Sequence, residues 1–234
     1  MKDSKPSLYL FFIASIFVIL ARIFDFEKID WLLKPTIIPA ILYYYLQTKT
    51  SKTNYLLLLV FFFFFIGDMI ILMFPNGKLD WVLLSFAFGY ILLLYYIIKD
   101  FRFKKFKKII ILYTLIIALF LLLLLNEILD LPVEAIINNH ITFLAYGILL
   151  IIIATISIFN YLVNPNINSL NLFSMSLCFL ISDLFYCFDK FVFSSFLFDI
   201  FNLATQFLSY FFMVKSFNTR DSLSINSIYV KNGE

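Results

Sequence analysis

Apolar windows long enough to cross a bilayer recur along the entire chain, and no other feature constrains its fold as much. They fall at about 7–24, 29–47, 54–73, 81–98, 108–125, 139–163, 169–188 and 195–217. A hydrocarbon core about 30 Å thick calls for ~20 apolar residues per crossing helix. A transmembrane β-barrel would show ~10-residue segments of alternating polarity instead. The runs Phe61–Phe65 and Leu121–Leu125 do not alternate. Hydrocarbon offers backbone amides no hydrogen-bond partner, so helices are the spanning form that remains.

Composition agrees with this reading. The 234 residues are 63% hydrophobic and only 14% charged, whereas soluble domains carry about a quarter charged residues. The formal charge of +3 is too small to indicate a nucleic-acid partner. The expected fold is an all-α integral membrane domain of about eight transmembrane helices over 1–217, followed by a short, mobile polar cytoplasmic tail over 218–234. Lys2 and Lys5 before the run Leu8–Leu20 have the polarity of a signal peptide. No small-x-small cleavage pattern follows, because Ile19 and Ala21 flank Leu20 and Arg22 comes next, so this segment is expected to be a retained span. Spans this uniformly apolar carry no signature of an oligomer.

The basic residues set an orientation. With the N-terminus inside, one side holds Lys2, Lys5, Lys49, Lys52, Lys99, Arg102, Lys104, Lys105, Lys107, Lys108, Lys215, Arg220 and Lys231. The other holds Arg22, Lys28, Lys34, Lys78 and Lys190, a bias of 13 to 5 that puts both termini in the cytoplasm. Lys99–Lys108 reads as a topology-setting loop. Trp31 and Trp81 then sit at outer ends, and Tyr43–Tyr45 and Tyr95–Tyr96 at inner ends, as interfacial aromatics do.

Few charges lie within the spans. Asp68, Asp183 and Lys34 fall at similar depth beneath the outer boundary, on helices that run in different directions. A charge inside a span costs several kcal/mol, about 2.5–3.5 on insertion scales, and normally faces a cavity or a partner. Two readings fit: a functional cluster, or groups tied into a structural ion pair. Small-Asp pairs, Gly67-Asp68 and Ser182-Asp183, recur near the ends of the third and seventh spans. This weak echo suggests two four-helix halves in parallel orientation, with the two acids facing each other across a central cleft. Pro35 and Pro39 each remove a backbone hydrogen bond beside Lys34, which would bend that helix. Cys178 and Cys187 are nine positions apart in one segment; about 900° of rotation puts them on opposite faces, so no disulfide is expected. His140 stands alone at an outer interface, so no metal site is expected.

At these residues the chain resembles the YhhN-like family of membrane proteins, whose characterised members are lysoplasmalogenases. The matching pieces are Lys34-Pro35 with Pro39, Gly67-Asp68 followed by Met73, Phe74 and Gly77, Ser182-Asp183 with Lys190-Phe191, and Tyr210. Two places depart from the family pattern: Phe88-Gly89-Tyr90 stands where a His is common, and no Gln follows Tyr210. The resemblance implies hydrolysis of the vinyl ether of a lysoplasmalogen to a fatty aldehyde and a glycerophospho-head group, with no cofactor and with membrane lipid as the partner. It implies Asp68 and Asp183 as catalytic residues, with Lys34, Tyr90, Ser182, Lys190 and Tyr210 contacting substrate. It also suggests a bacterial inner membrane. Two carboxyl groups in a low-dielectric cleft resist simultaneous ionisation, so such a pair supplies one proton donor and one carboxylate. Other classes use the same features: a proton-coupled transporter built on the two acids, or a lipid-binding protein that keeps the fold without the chemistry.

Overall fold

The computed structural model describes residues 5–49, 52–74, 77, 79–100 and 107–231. Among them every regular element is helical: α1 Lys5–Ile23, α2 Glu27–Thr48, α3 Tyr55–Met73, α4 Leu79–Asp100, α5 Lys108–Leu129, the short α6 Glu134–Asn138, α7 His140–Val163, α8 Ile167–Cys187 and α9 Phe196–Lys231. A π-helical turn, Phe188–Val192, extends α8. Lys2, Lys78, Arg102, Lys104 and Lys105, which entered the charge bias, lie outside the described residues, as do residues 232–234 of the expected tail.

Among the described residues seven helices are long and apolar enough to cross a membrane. The eighth long helix, α2, spans 22 residues but carries Glu27, Lys28, Asp30 and Lys34 together with three tyrosines. It packs within the bundle against α1, α3 and α9. The helix continues through Pro35 and Pro39. The chain is therefore a multi-pass membrane protein. Its outer surface agrees: Leu115, Ile116, Leu119, Phe120 and Leu123 of α5 are all more than half exposed. An apolar face of that kind would be an aggregation hazard in water and is ordinary in lipid.

Local chemistry explains several boundaries. Asn54 caps α3 by accepting from the Leu56 amide at 3.1 Å. Asn166 opens α8 with a reciprocal capping box, its Oδ1 accepting from Ser169 N at 2.9 Å while Ser169 Oγ accepts from Asn166 N at 3.0 Å. α9 does not stop at 217, where the polar tail was expected to begin, but stays helical to Lys231. Between 218 and 231 the sequence contains neither Gly nor Pro, so nothing interrupts the backbone ladder. The inner-end tyrosines also differ from the interfacial expectation. Tyr43 and Tyr95 are exposed, but Tyr44, Tyr45 and Tyr96 are buried core residues; Tyr45 Oη accepts from Asn54 N at 2.9 Å, and the Tyr96 ring stacks on Phe217 at 3.7 Å.

The helices pack in a repeated pattern. Each half contains an α-hairpin, α3 with α4 and α8 with α9. The last helix of each half then packs on the second helix of the other, α4 on α7 and α9 on α2. These contacts relate α1–α4 to α5 with α7–α9, except that α1 also packs on α9 whereas α5 makes no comparable contact with α4. Close approach of α3 and α4 depends on two glycines. A Cβ on Gly67 would stand 2.7 Å from the Phe86 ring, and one on Gly89 would collide with the Phe64 ring. Both cysteines are free.

Candidate functional site

At the end of the bundle that the charge bias assigns to the outside, the helices part around a cleft of about 190 Å³. Its apolar lining comes from α4, α5, α7 and α8 and includes Leu83, Phe86, Leu121, Leu124, Leu125, Ile128, Phe143, Leu150 and Leu180. Its polar and charged lining comes from α1, α2, α7, α8, the π-helical turn and α9: Arg22, Lys34, Tyr146, Ser182, Asp183, Asp189, Lys190, Asp199, Asn202 and Gln206. On α5 only Thr114 and Leu121 are buried, so a single helix separates the apolar wall from lipid. Gly147 narrows that wall, since a Cβ there would strike Leu125.

Asp183 is half-buried on the cleft wall, near the end of α8. Its Oδ2 accepts two phenol hydrogen bonds, from Tyr146 at 2.6 Å and Tyr90 at 3.2 Å. Its Oδ1 takes no hydrogen bond from a described residue and is not sealed off. The carboxyl is thus pinned on one side and open on the other.

Asp68 is held differently. It is buried, with 4% of its surface exposed, and does not form part of the cleft wall. Gln206 stands on the wall and donates from Nε2 to Asp68 Oδ1 at 2.9 Å. Tyr210 donates to Asp68 Oδ2, also at 2.9 Å. Both oxygens of Asp68 are therefore occupied. The expectation that the two acids face each other across one cleft is not met, because the Gln206 side chain takes the place at the wall. The rings of Phe64, Phe179, Tyr90 and Tyr210 lie in the core with them. Phe64 and Phe179 are 5.3 Å apart, and each lies between 5.2 and 6.1 Å from both tyrosines.

This arrangement extends the echo seen in the sequence. Phe64 precedes Asp68 by four residues, as Phe179 precedes Asp183. Each acid is bonded by the tyrosine of the other half's last helix, Asp68 by Tyr210 and Asp183 by Tyr90. Phe-x-x-small-Asp in both halves was the signal that would have linked the two environments before any coordinates.

The remaining expected residues separate by position. Lys34 is buried, lies on the cleft wall and makes no hydrogen bond or ion pair with a described residue; its charge acts at longer range on Asp68 and Asp199. Lys190 is exposed on the π-helical turn at the cleft. Ser182 spends its one proton on the Asn202 carbonyl at 3.1 Å, joining α8 to α9. Tyr90 and Tyr210 stand behind the acids, off the cleft wall. Residues that sequence reasoning missed are Tyr146, Gln206, Asn202, Asp199 and Arg22. Arg22 pairs with Asp30 at 3.0 Å and lies 3.9 Å from Asp199. Among the described residues no group of three or more His, Cys, Asp and Glu could hold a metal ion.

A model of the YhhN family matches residues 29–217. The chain belongs to the YhhN family. The match runs from within α2 to within α9 and includes Lys34, Asp68, Tyr90, Tyr146, Asp183, Gln206 and Tyr210, while leaving out Arg22 on α1. None of the curated proteins and none of the solved structures compared with this YhhN-family chain matches it.

Proposed function

We propose that this YhhN-family protein is an integral membrane hydrolase of a bacterial inner membrane that cleaves the vinyl ether of lysoplasmalogens, with Asp183 as its proton carrier. The cleft suits a single-chain lipid. Its apolar wall takes the hydrocarbon, and its charged side suits a phosphate-bearing head group. Lys34 is a buried residue whose Nζ is not sealed off and has no close partner, positioned on the cleft wall to act as a point charge on that phosphate. α5 is the thin lateral wall past which a lipid chain enters from the bilayer.

The observation that carries the reading is the one-sided carboxyl of Asp183. With its proton on Oδ1, the acid protonates the vinyl-ether carbon remote from oxygen, leaving an oxocarbenium ion and a carboxylate. Tyr146 and Tyr90, both donating to Oδ2, stabilise that carboxylate as it forms, which is where preorganised donors contribute most. Water then adds to the cationic carbon and yields a proton to Asp183, giving a hemiacetal. Asp183 returns that proton to the glyceryl oxygen as the carbon–oxygen bond breaks, and regains one from the hemiacetal hydroxyl. The products are a fatty aldehyde and a glycerophospho-head group, and one carboxyl carries every proton.

The test is aldehyde release by purified protein in detergent from a vinyl-ether lysolipid, against fatty-acid release from the matched acyl lysolipid. The expected result is aldehyde and no fatty acid, with Asp183→Asn about a hundred- to ten-thousand-fold slower. Full turnover by Asp183→Asn rejects the mechanism. No aldehyde from the parent protein rejects the activity.

A further inference from the structure

Asp68 is buried, charged and costly, yet it does not reach the cleft. What it does touch is Gln206, which reaches the cleft. The amide of Gln206 has one orientation open to it. Tyr210 has a single proton and gives it to Asp68 Oδ2, so the Tyr210 oxygen is left as an acceptor. Asp68 Oδ1 is an acceptor too. Gln206 Nε2 lies 2.9 Å from the one and 3.1 Å from the other, and its two hydrogens match them. A flipped amide would set its carbonyl oxygen against two acceptors, leaving buried polar groups unpaired at a cost of about 1–3 kcal/mol. Gln206 Oε1 is therefore the free end. It takes no hydrogen bond from a described residue and is not sealed off. The structure thus builds a fixed acceptor with no donor of its own on the wall of a lipid-sized cleft.

We propose that Gln206 Oε1 accepts a hydrogen bond from the free glycerol hydroxyl of a single-chain lipid, and that Asp68 and Tyr210 are positioning residues that aim it. This rests on the lysolipid reading of the cleft and deepens it. A lysolipid differs from its two-chain parent by that one hydroxyl, so a lone acceptor at the wall supplies selectivity for the single-chain form. A site built to bond a substrate hydroxyl discriminates strongly against analogues lacking it, because its buried acceptor is then left unpaired. It also accounts for an acid that is held at both oxygens, and so is unfit to shuttle protons, yet lies one side chain behind the cleft.

The test uses binding, so it does not depend on turnover. The probes are a saturated one-chain ether glycerophosphocholine, which has no vinyl ether to cleave, and its analogue lacking the glycerol hydroxyl. The deoxy analogue removes the donor without adding bulk. The full-length protein in detergent is expected to bind the hydroxyl probe about tenfold more tightly, the yield of one hydrogen bond. Gln206→Leu should bring the ratio to near one. Asp68→Asn, which is isosteric and lets the Gln206 amide turn over, should reduce the ratio as well, an effect that a merely structural role would not have. Equal binding of the two probes by the parent protein overturns the proposal, as does a ratio left intact in Gln206→Leu; if that variant does not fold, Asp68→Asn decides in the same way. The aldehyde assay separates this from the wider reading. A retained preference without aldehyde sinks the hydrolase and keeps the hydroxyl site, whereas aldehyde without preference does the reverse.

Discussion

Asp183 and Asp68 are the same residue type at matching places in the α8–α9 and α3–α4 hairpins, and their surroundings hold them differently. Asp183 keeps one oxygen open toward the cleft and Asp68 keeps none. Two predictions belong to this scale. Tyr146→Phe removes the shorter of the two phenol bonds to Asp183, at 2.6 Å against 3.2 Å for Tyr90. Hydrogen bonds to charged groups contribute about 1.5–3 kcal/mol, so kcat for aldehyde release should fall roughly ten- to a hundredfold, and more than in Tyr90→Phe. Steady-state kinetics that rank the two variants in the opposite order would remove Tyr146 from its stabilising place. Lys34→Met, which keeps an unbranched apolar stem, should raise KM for a phosphate-bearing lysolipid while leaving kcat close to the parent value. A fall in kcat with unchanged KM would contradict the phosphate assignment.

At the scale of elements, the site depends on where α8 begins and ends and on how closely α3 and α4 approach. Asp183 stands four residues before the end of α8, whose start is set by the Asn166–Ser169 capping box. Asn166→Ala should lower stability by about 0.5–2 kcal/mol, read from the midpoint of thermal unfolding in detergent. The α3–α4 contact is more demanding. Gly89→Ala places a methyl group against Phe64, a fully buried ring in contact with Tyr90, Phe179 and Tyr210. Overpacking of this kind costs about 1–3 kcal/mol. It should also disturb Asp183, because Tyr90 sits on the same helix one residue later and donates to it. A Gly89→Ala protein with unchanged stability and unchanged aldehyde release would show that the aromatic cluster yields more readily than its packing indicates.

At the scale of the whole molecule, two four-helix halves surround one aromatic centre and only one of the two acid environments opens to a cleft. Each acid takes a phenol from the other half, so neither environment is complete until both halves are packed. The cleft's apolar wall borrows α5, the helix most exposed to lipid. Its depth should set the hydrocarbon length accepted. Leu124→Trp fills that wall, and the preferred chain should become shorter by several carbons in a competition assay with lysolipids of graded length. An unaltered length profile would place the hydrocarbon somewhere other than against α5.

Much of this was legible in the linear chain because lipid imposes a simple rule. A segment of about 20 apolar residues without charge has one low-cost state, a helix across the bilayer. The windows at 54–73 and 139–163 therefore correspond to α3 and α7 within a residue or two, and of the rare internal charges Lys34 and Asp183 lie on the cleft while Asp68 lies one side chain behind it. What the sequence alone could not determine is which side chains face each other. Tyr146 and Gln206 are ordinary polar residues in apolar helices, and they acquire a role only when α7 brings one to Asp183 and α9 brings the other to Asp68. Spans such as α3 and α5 are apolar on nearly all sides, so periodicity does not separate their face toward lipid from their face toward the bundle, although Asp199, Asn202, Gln206 and Ser209 do recur at helical spacing on α9. Only packing decided that Asp183 opens inward while Asp68 is enclosed behind an amide.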